Sequence, residues 1–229
     1  MIAFVGNEVS DIMLYLARTL KQRNRRVLIL DETRHESIPS FVEKENVEGK
    51  YQFEDIKNRI EQHREIDYLL GCKFSSYEAN CLDKFKLEYD DIFLRVARDY
   101  DEIWISHCEL MIFLSDIQKD SIDYLKMISE IKQPDIIVLR NIISCKIKPN
   151  YVLRQLRKKE KETKIILIPY QNKDRRYQIE NQYNHRVRFT NLSSKLRRGI
   201  LEILYYLVPE NDKKEIKKAF EVAGKGRWG

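Results

Sequence analysis

The stretch IAFVGNEVSDIMLYLARTLKQRNRRVLILD, residues 2–31, decides the fold. Residues 2–5 are a continuous apolar run that stops at Gly6-Asn7, the mark of a buried strand followed by a turn. Ser10 or Asp11 then stands where a helix cap is wanted. Beyond it Ile12, Leu16 and Leu20 recur at helical spacing, with Leu14 and Ala17 alongside. A polar turn over 21–26 leads into Val27-Leu28-Ile29-Leu30, a second apolar run, which ends at Asp31. Strand, helix and strand within about thirty residues make a βαβ unit. Such a unit requires parallel strands and a right-handed crossover.

The alternation continues down the chain. Helical spacing predicts helices over 53–65, 89–98, 115–131, 151–161 and 196–208. Apolar runs predict strands over 66–72, 102–106, 136–139 and 164–168, with a short edge strand over 186–189. Near-continuous Val/Ile/Leu strands between helices fit a parallel sheet covered on both faces. The expected fold class is α/β, a doubly wound, mostly parallel sheet of six or seven strands with helices on both faces. Residues 1–209 are read as that single domain and 210–229 as a basic amphipathic C-terminal tail. Ligands in such folds sit beyond the C-terminal ends of the strands. The loops after Val5, Leu30, Leu70, Ile105, Leu139 and Ile168 are therefore the ones to inspect.

Composition narrows the function classes. A chain of 229 residues with 43% hydrophobic and 34% charged residues is neither disordered nor membrane-spanning. No apolar run reaches transmembrane length, and the first residues lack the basic start and apolar core of a signal peptide. Cys72, Cys81, Cys108 and Cys145 are too far apart for a CxxC pair, so reduced cysteines in a cytoplasmic protein are expected, not a metal site. His35, His63, His107 and His185 are isolated, and no GxSxG or HExxH motif occurs. The acidic run Glu88-Tyr89-Asp90-Asp91 suits a helix start better than a cation.

The net charge of +6 conceals a polarity. Residues 151–229 hold 20 basic and 9 acidic side chains, whereas residues 1–150 hold 22 and 27. A basic C-terminal third can face nucleic acid, an anionic membrane or an acidic partner, or it can simply be a solvated surface. Arg154, Arg157, Lys158, Arg175, Arg176, Arg197 and Arg198, interleaved with Tyr177, Tyr183 and Phe189, are the candidate nucleic-acid surface. In the tail, Ile216, Ala219, Phe220 and Ala223 share one helical face. Lys213, Lys214, Lys217 and Lys218 populate the other, and Trp228 follows. That composition suits an interfacial membrane helix, or a helix docked on its own domain or a partner subunit.

Taken in order, these segments resemble the ParA/MinD family of P-loop ATPases, including the TadZ/CpaE branch that works with pilus and secretion machines. The quoted residues are IMLYLARTL at 12–20, QRNRRVLILDETR at 22–34, DEIWIS at 101–106, DIIVLRN at 135–141, IILIPYQNKDRRY at 165–177 and SSKLRRGILEILYYLV at 193–208. The resemblance implies a P-loop NTPase-like fold and a homodimer formed through the nucleotide face. It implies protein partners, a cytoplasmic location with peripheral contact at the inner face of the membrane, and an ATP/Mg site. Asp31 matches the family position near water or metal, and Asn141 and Pro169-Tyr170 match segments near the adenine base. The acidic residue expected at the end of another strand falls either at Gly71-Cys72 or at Ser106-His107.

The departure from the family pattern bears on function. A phosphate loop needs glycine-allowed turns that aim N–H groups at phosphate, a lysine on the β/γ-phosphates and a hydroxyl on Mg²⁺. Gly6-Asn7-Glu8-Val9-Ser10-Asp11 has one glycine, no lysine and two carboxylates. ATP/Mg is disfavoured on this reading and no cofactor is expected. The sequence thus points to a non-catalytic scaffold, with a DNA-binding partition protein and an ATPase of unusual loop as the alternatives. The acidic loop with adjacent basic side chains is expected to hold the dimer without ATP.

Overall fold

The structure is a computed structural model and describes residues 1–7, 9–31, 38, 57–70, 79–96, 102–156, 162–184 and 189–225. The opening βαβ unit forms where the apolar periodicity puts it, with β1 at Ile2–Val5, α1 at Ser10–Lys21 and β2 at Val27–Asp31. Both strands are wholly buried, as continuous apolar runs require in a sheet covered on two faces. The following elements are β3 (Glu61–His63), β4 (Ile66–Leu70), α2 (Ala79–Glu88), β5 (Asp91–Val96), α3 (Glu102–Ser106) and β6 (Leu110–Ser115). Then come α4 (Lys119–Ile131), β7 (Ile136–Ile142), α5 (Pro149–Leu156), β8 (Lys164–Pro169), α6 (Asn172–Tyr183), α7 (Ser194–Leu207) and α8 (Lys213–Lys225). None of the described helices is long and apolar enough to cross a membrane.

The sheet has eight strands in the order β3-β4-β2-β5-β1-β6-β7-β8. All pairings are parallel except the antiparallel edge pair β3–β4. Side chains alternate across each strand and divide the core in two. Phe4, Ile29, Phe93, Ile112 and Val138 face one side, under α1, α7 and α8. Ala3, Leu30, Leu94, Phe113 and Leu139 face the other, under α2, α4 and α5.

The α/β doubly wound class is therefore as expected, with eight strands in place of six or seven. The differences have one cause, which is that short apolar runs do not distinguish strand from helix. Residues 89–98 carry helical spacing through Ile92 and Val96, yet Asp91–Val96 is β5, a central strand between β2 and β1. Its consecutive Ile92-Phe93-Leu94 must bury on two faces at once, which a strand does and a helix stripe does not. The apolar run at 102–106 is the short helix α3, and the strand position beside β1 belongs to Leu110–Ser115. Of the helix expected over 53–65, residues 53–56 lie outside the described residues and Glu61–His63 is an edge strand. The edge strand read at 186–189 lies outside them except for Phe189, which is buried.

The C-terminal segment is part of the same body. Ile216, Phe220 and Ala223 of α8 belong to the core cluster that contains α1 and α7. Phe220 meets Phe189 edge-on at 5.3 Å, and Gly224 brings α8 against the same ring. Arg23, just past α1, pairs with Asp212 and Glu215 at 2.9 Å each. Of the readings open for the apolar stripe Ile216, Ala219, Phe220 and Ala223, the structure shows the one in which it docks on its own domain. The lysines opposite it remain at the surface, with Lys214, Lys217 and Lys218 exposed.

Candidate functional site

Strand order reverses at β1, which lies between β5 and β6. The helices that follow β1 and β6 lie on opposite faces, α1 on one and α4 on the other. Their leading loops therefore part beyond the C-terminal end of β1, where open α/β sheets take their ligands. In this chain the crevice is bridged by its own side chains.

Gly6 opens the loop at φ +138°, and a Cβ there would lie 1.7 Å from the Leu114 carbonyl oxygen. Only glycine allows β6 so close an approach with this backbone. Asn7 Nδ2 then donates to Ser121 Oγ of α4 at 2.9 Å and ties the two walls together. Val9 is fully buried, and its carbonyl accepts the Met13 N–H at 3.0 Å. The expected cap is displaced: Val9 holds the N-cap position, while Ser10 and Asp11 lie within the first turn and are buried.

Asp11 meets Arg140 in a two-pronged contact, Nη1 to Oδ1 at 2.6 Å and Nη2 to Oδ2 at 2.9 Å. Both side chains are almost completely buried, at 3% and 4% exposure. This is the planar geometry in which a guanidinium binds a carboxylate best. The Asp11 charge also lies in the first turn of α1, where the helix dipole favours an anion. A second buried pair lies within the sheet, where Asp31 and Arg95 are register partners on β2 and β5. Arg95 Nη1 is 3.4 Å from Asp31 Oδ2, and neither side chain reaches solvent. Tyr15, one turn along α1, has its phenol held far above the ordinary range by burial first and the Asp11 charge second, opposed by Arg140. It therefore stays neutral and packs edge-on against Phe189 at 4.8 Å.

Of the loop residues singled out in the sequence, Gly6, Asn7, Val9, Ser10 and Asp11 lie at this crevice, and Glu8 lies outside the described residues. Asp31 ends β2 and pairs with Arg95 of the neighbouring β5. Asn141, the last residue but one of β7, is left-handed at φ +54° and directly follows Arg140. Pro169 ends β8, and the Tyr170 N–H donates to the Ile142 carbonyl at 2.9 Å, so Asn141 and Tyr170 share the β7–β8 corner. Of the two segments expected to end near the missing acidic residue, one is helical and the end of the other lies outside the described residues. The strand between β1 and β2 is β5, which carries Arg95 near its end, and 102–106 is helical. Gly71 and Cys72 lie outside the described residues.

Among the described residues, the basic candidates on α5 and α7 lie on opposite faces of the sheet. Arg154 sits on α5 over one face of the sheet, whereas Arg197 and Arg198 sit on α7 over the other. Arg197 lies over the Phe220 ring at 5.3 Å, and Arg198 pairs with Glu202 at 3.1 Å. On α6, Arg175 donates to Gln178 at 2.7 Å and Arg176 pairs with Glu180 at 3.5 Å. Lys213 pairs with Glu210 and lies over the Tyr205 ring. Arg157, Lys158 and Trp228 lie outside the described residues.

The two arginines of these buried pairs, Arg95 and Arg140, were not among the sequence candidates. Their signal is there to read: each is an arginine inside an apolar run, IFLRV and IIVLRN. A charge in a strand buried on both faces needs a buried partner.

No family model and no curated protein matches this sequence. Solved structures do match in fold. The MinD cell division protein of Aquifex aeolicus superposes with a TM-score of 0.64 over 91% of this chain and 98% of that one, at 13% identity. A ParA family ATPase from Chlorobium tepidum gives 0.61 over 90% and 98%, also at 13% identity. The MinC:MinD cell division protein complex of Aquifex aeolicus gives 0.60 over 99% and 96%, at 12% identity. The chain thus has the fold of MinD and ParA-family structures across nearly its whole length.

Proposed function

We propose that this chain is a MinD/ParA-like pseudo-ATPase, a non-catalytic positioning or assembly scaffold that recruits protein partners to a membrane-associated machine of pilus or secretion type. One observation supports the reading: Asp11, in the first turn of α1 after the loop that resembles a phosphate loop, forms a buried pair with Arg140. A triphosphate brings several negative charges to the start of α1, where Asp11 already supplies one and no lysine stands in the loop. Arg140 has both terminal nitrogens on Asp11. The other carboxylate available for a hard cation, Asp31, faces Arg95. The residues present do not fit ATP with Mg²⁺, and no catalytic step is assigned to them.

The scaffold role rests on the fold, since one of the similar structures is a MinC:MinD complex of a partner bound to this architecture. The homodimer, the cytoplasmic setting with peripheral contact at the inner membrane face, and the division into domain 1–209 and segment 210–229 belong to the same proposal. Among the described candidates, Arg154 lies over one face of the sheet and Arg197 and Arg198 over the other, which weighs against the DNA-partition alternative. Titration calorimetry of the full chain with ATP and ADP, with and without Mg²⁺, tests the central claim. Silence at millimolar nucleotide is expected. Heat from micromolar binding would overturn the pseudo-ATPase reading and restore the ATPase with an unusual loop.

A further inference from the structure

The corner where β7 and β8 end carries large apolar side chains that the fold leaves uncovered. Ile143, Ile147 and Tyr151 are 56%, 49% and 62% exposed, and Tyr170 is 38% exposed. Single exposed apolar residues need no explanation, but these four come from two strand-to-helix turns that the backbone holds side by side. The Tyr170 N–H bond to Ile142 fixes one turn on the other. The irregularity between Leu139 and Ile142, with Asn141 left-handed, turns the end of β7 outward. Tyr151 lies in the first turn of α5, which starts at Pro149 on that same edge.

Within the β7–α5 turn the charge has one sign, whereas Asp174, four residues past Tyr170, is engaged by Ser193. Residues 141–156 contain Lys146, Lys148 and Arg154 and no aspartate or glutamate. Lys146 and Lys148 are exposed and lie between the apolar residues in sequence. We infer that this corner docks a short acidic segment of a partner protein. Its apolar side chains rest on Ile143, Ile147, Tyr151 and Tyr170, and its carboxylates meet Lys146 and Lys148. A second copy is the wrong occupant, because a two-fold contact would bring the same lysines together. Two lysines are few for a surface dominated by phosphate contacts. Arg140 precedes Asn141 directly, so its pairing with Asp11 holds this corner to α1 and preforms the surface without a ligand.

The inference rests on the scaffold reading and names the chemistry of the partner. Its test is selection of short random peptides displayed on phage against the full chain. Enriched peptides should combine Asp or Glu with Leu, Phe or Trp. Binding of a synthesised enriched peptide should weaken about tenfold or more with Ile147→Ser and with Lys148→Glu, both with unchanged circular dichroism. It should not change with Lys217→Glu on the distant α8. No enrichment, enrichment without acidic residues, or insensitivity to both corner variants would overturn it. So would binding of phosphatidylglycerol vesicles or duplex DNA that is lost in Ile147→Ser. The two proposals fail separately: nucleotide heat with peptide binding intact removes only the pseudo-ATPase, whereas nucleotide silence without peptide selection removes only the corner.

Discussion

Asp11→Asn keeps the size of the side chain and removes its charge, leaving the Arg140 guanidinium buried at 4% exposure without its carboxylate. Breaking a buried pair from one side costs about 3–5 kcal/mol, because the remaining charge is no longer compensated. That is a fifth or more of the roughly 5–15 kcal/mol by which a domain is stable. Arg140→Met should cost a comparable amount, since it strands the Asp11 carboxylate. The double variant removes both charges and should lie well above either single one, so the effects are strongly non-additive. Urea unfolding of the four proteins measures this cycle. A second readout links it to the crevice: in Asp11→Ala, the bared guanidinium and the start of α1 together recreate an anion site. Inorganic phosphate should then raise the urea midpoint of Asp11→Ala and leave the wild type unchanged. Single variants that cost less than about 1 kcal/mol with additive effects would refute the reasoning, because the pair would then be behaving as a solvated surface contact.

Two further outcomes follow from the packing. Tyr15 and Tyr68 are buried phenols whose ionisation is pushed above the ordinary range chiefly by desolvation. The unfolded chain releases these protons near pH 10 and the folded one does not, so their contribution is complete below pH 10 and is lost above it. Stability should fall by up to about 1.4 kcal/mol per pH unit for each group, as measured by urea midpoints from pH 9 to 11. Phe220→Ala empties a fully buried site between α1, α7 and α8 and should cost about 3–5 kcal/mol. A loss below about 1 kcal/mol in thermal or chemical unfolding would mean that α8 is not docked as described.

The legible parts of the fold were the long, strongly patterned ones. The βαβ unit over 2–31 declared itself because a continuous apolar run, a helical stripe and a second apolar run leave one arrangement that buries all three. The runs at 136–139 and 164–168 were equally plain, and both became strands at the expected places. The segment 89–106 was misread in both halves because Ile92 with Val96 suits a helix and Ile103-Trp104-Ile105 suits a strand. Only competition for the slots beside β1 assigns them: β5 and β6 fill both sides, leaving α3 to cross between them. Single arginines within apolar runs were visible, but their partners were not, since Arg140 is 129 residues from Asp11 and Arg95 is 64 from Asp31.

By itself the sequence determined the class of fold and the chemistry missing from its first loop, because both are set by local pattern: the period of apolar residues, one glycine, an absent lysine. The tertiary structure decided which side chains meet at the start of α1, and where the amphipathic C-terminal helix directs its apolar face. Those outcomes depend on which distant side chains become neighbours. A carboxylate in the first turn of α1 is a surface charge or a buried anchor according to whether β7 brings Arg140 beside it. A stripe of Ile216 and Phe220 binds a membrane or a core according to whether α1 and α7 leave it a groove. Burial and pairing are properties of the assembled layers, and no window of neighbouring residues contains them.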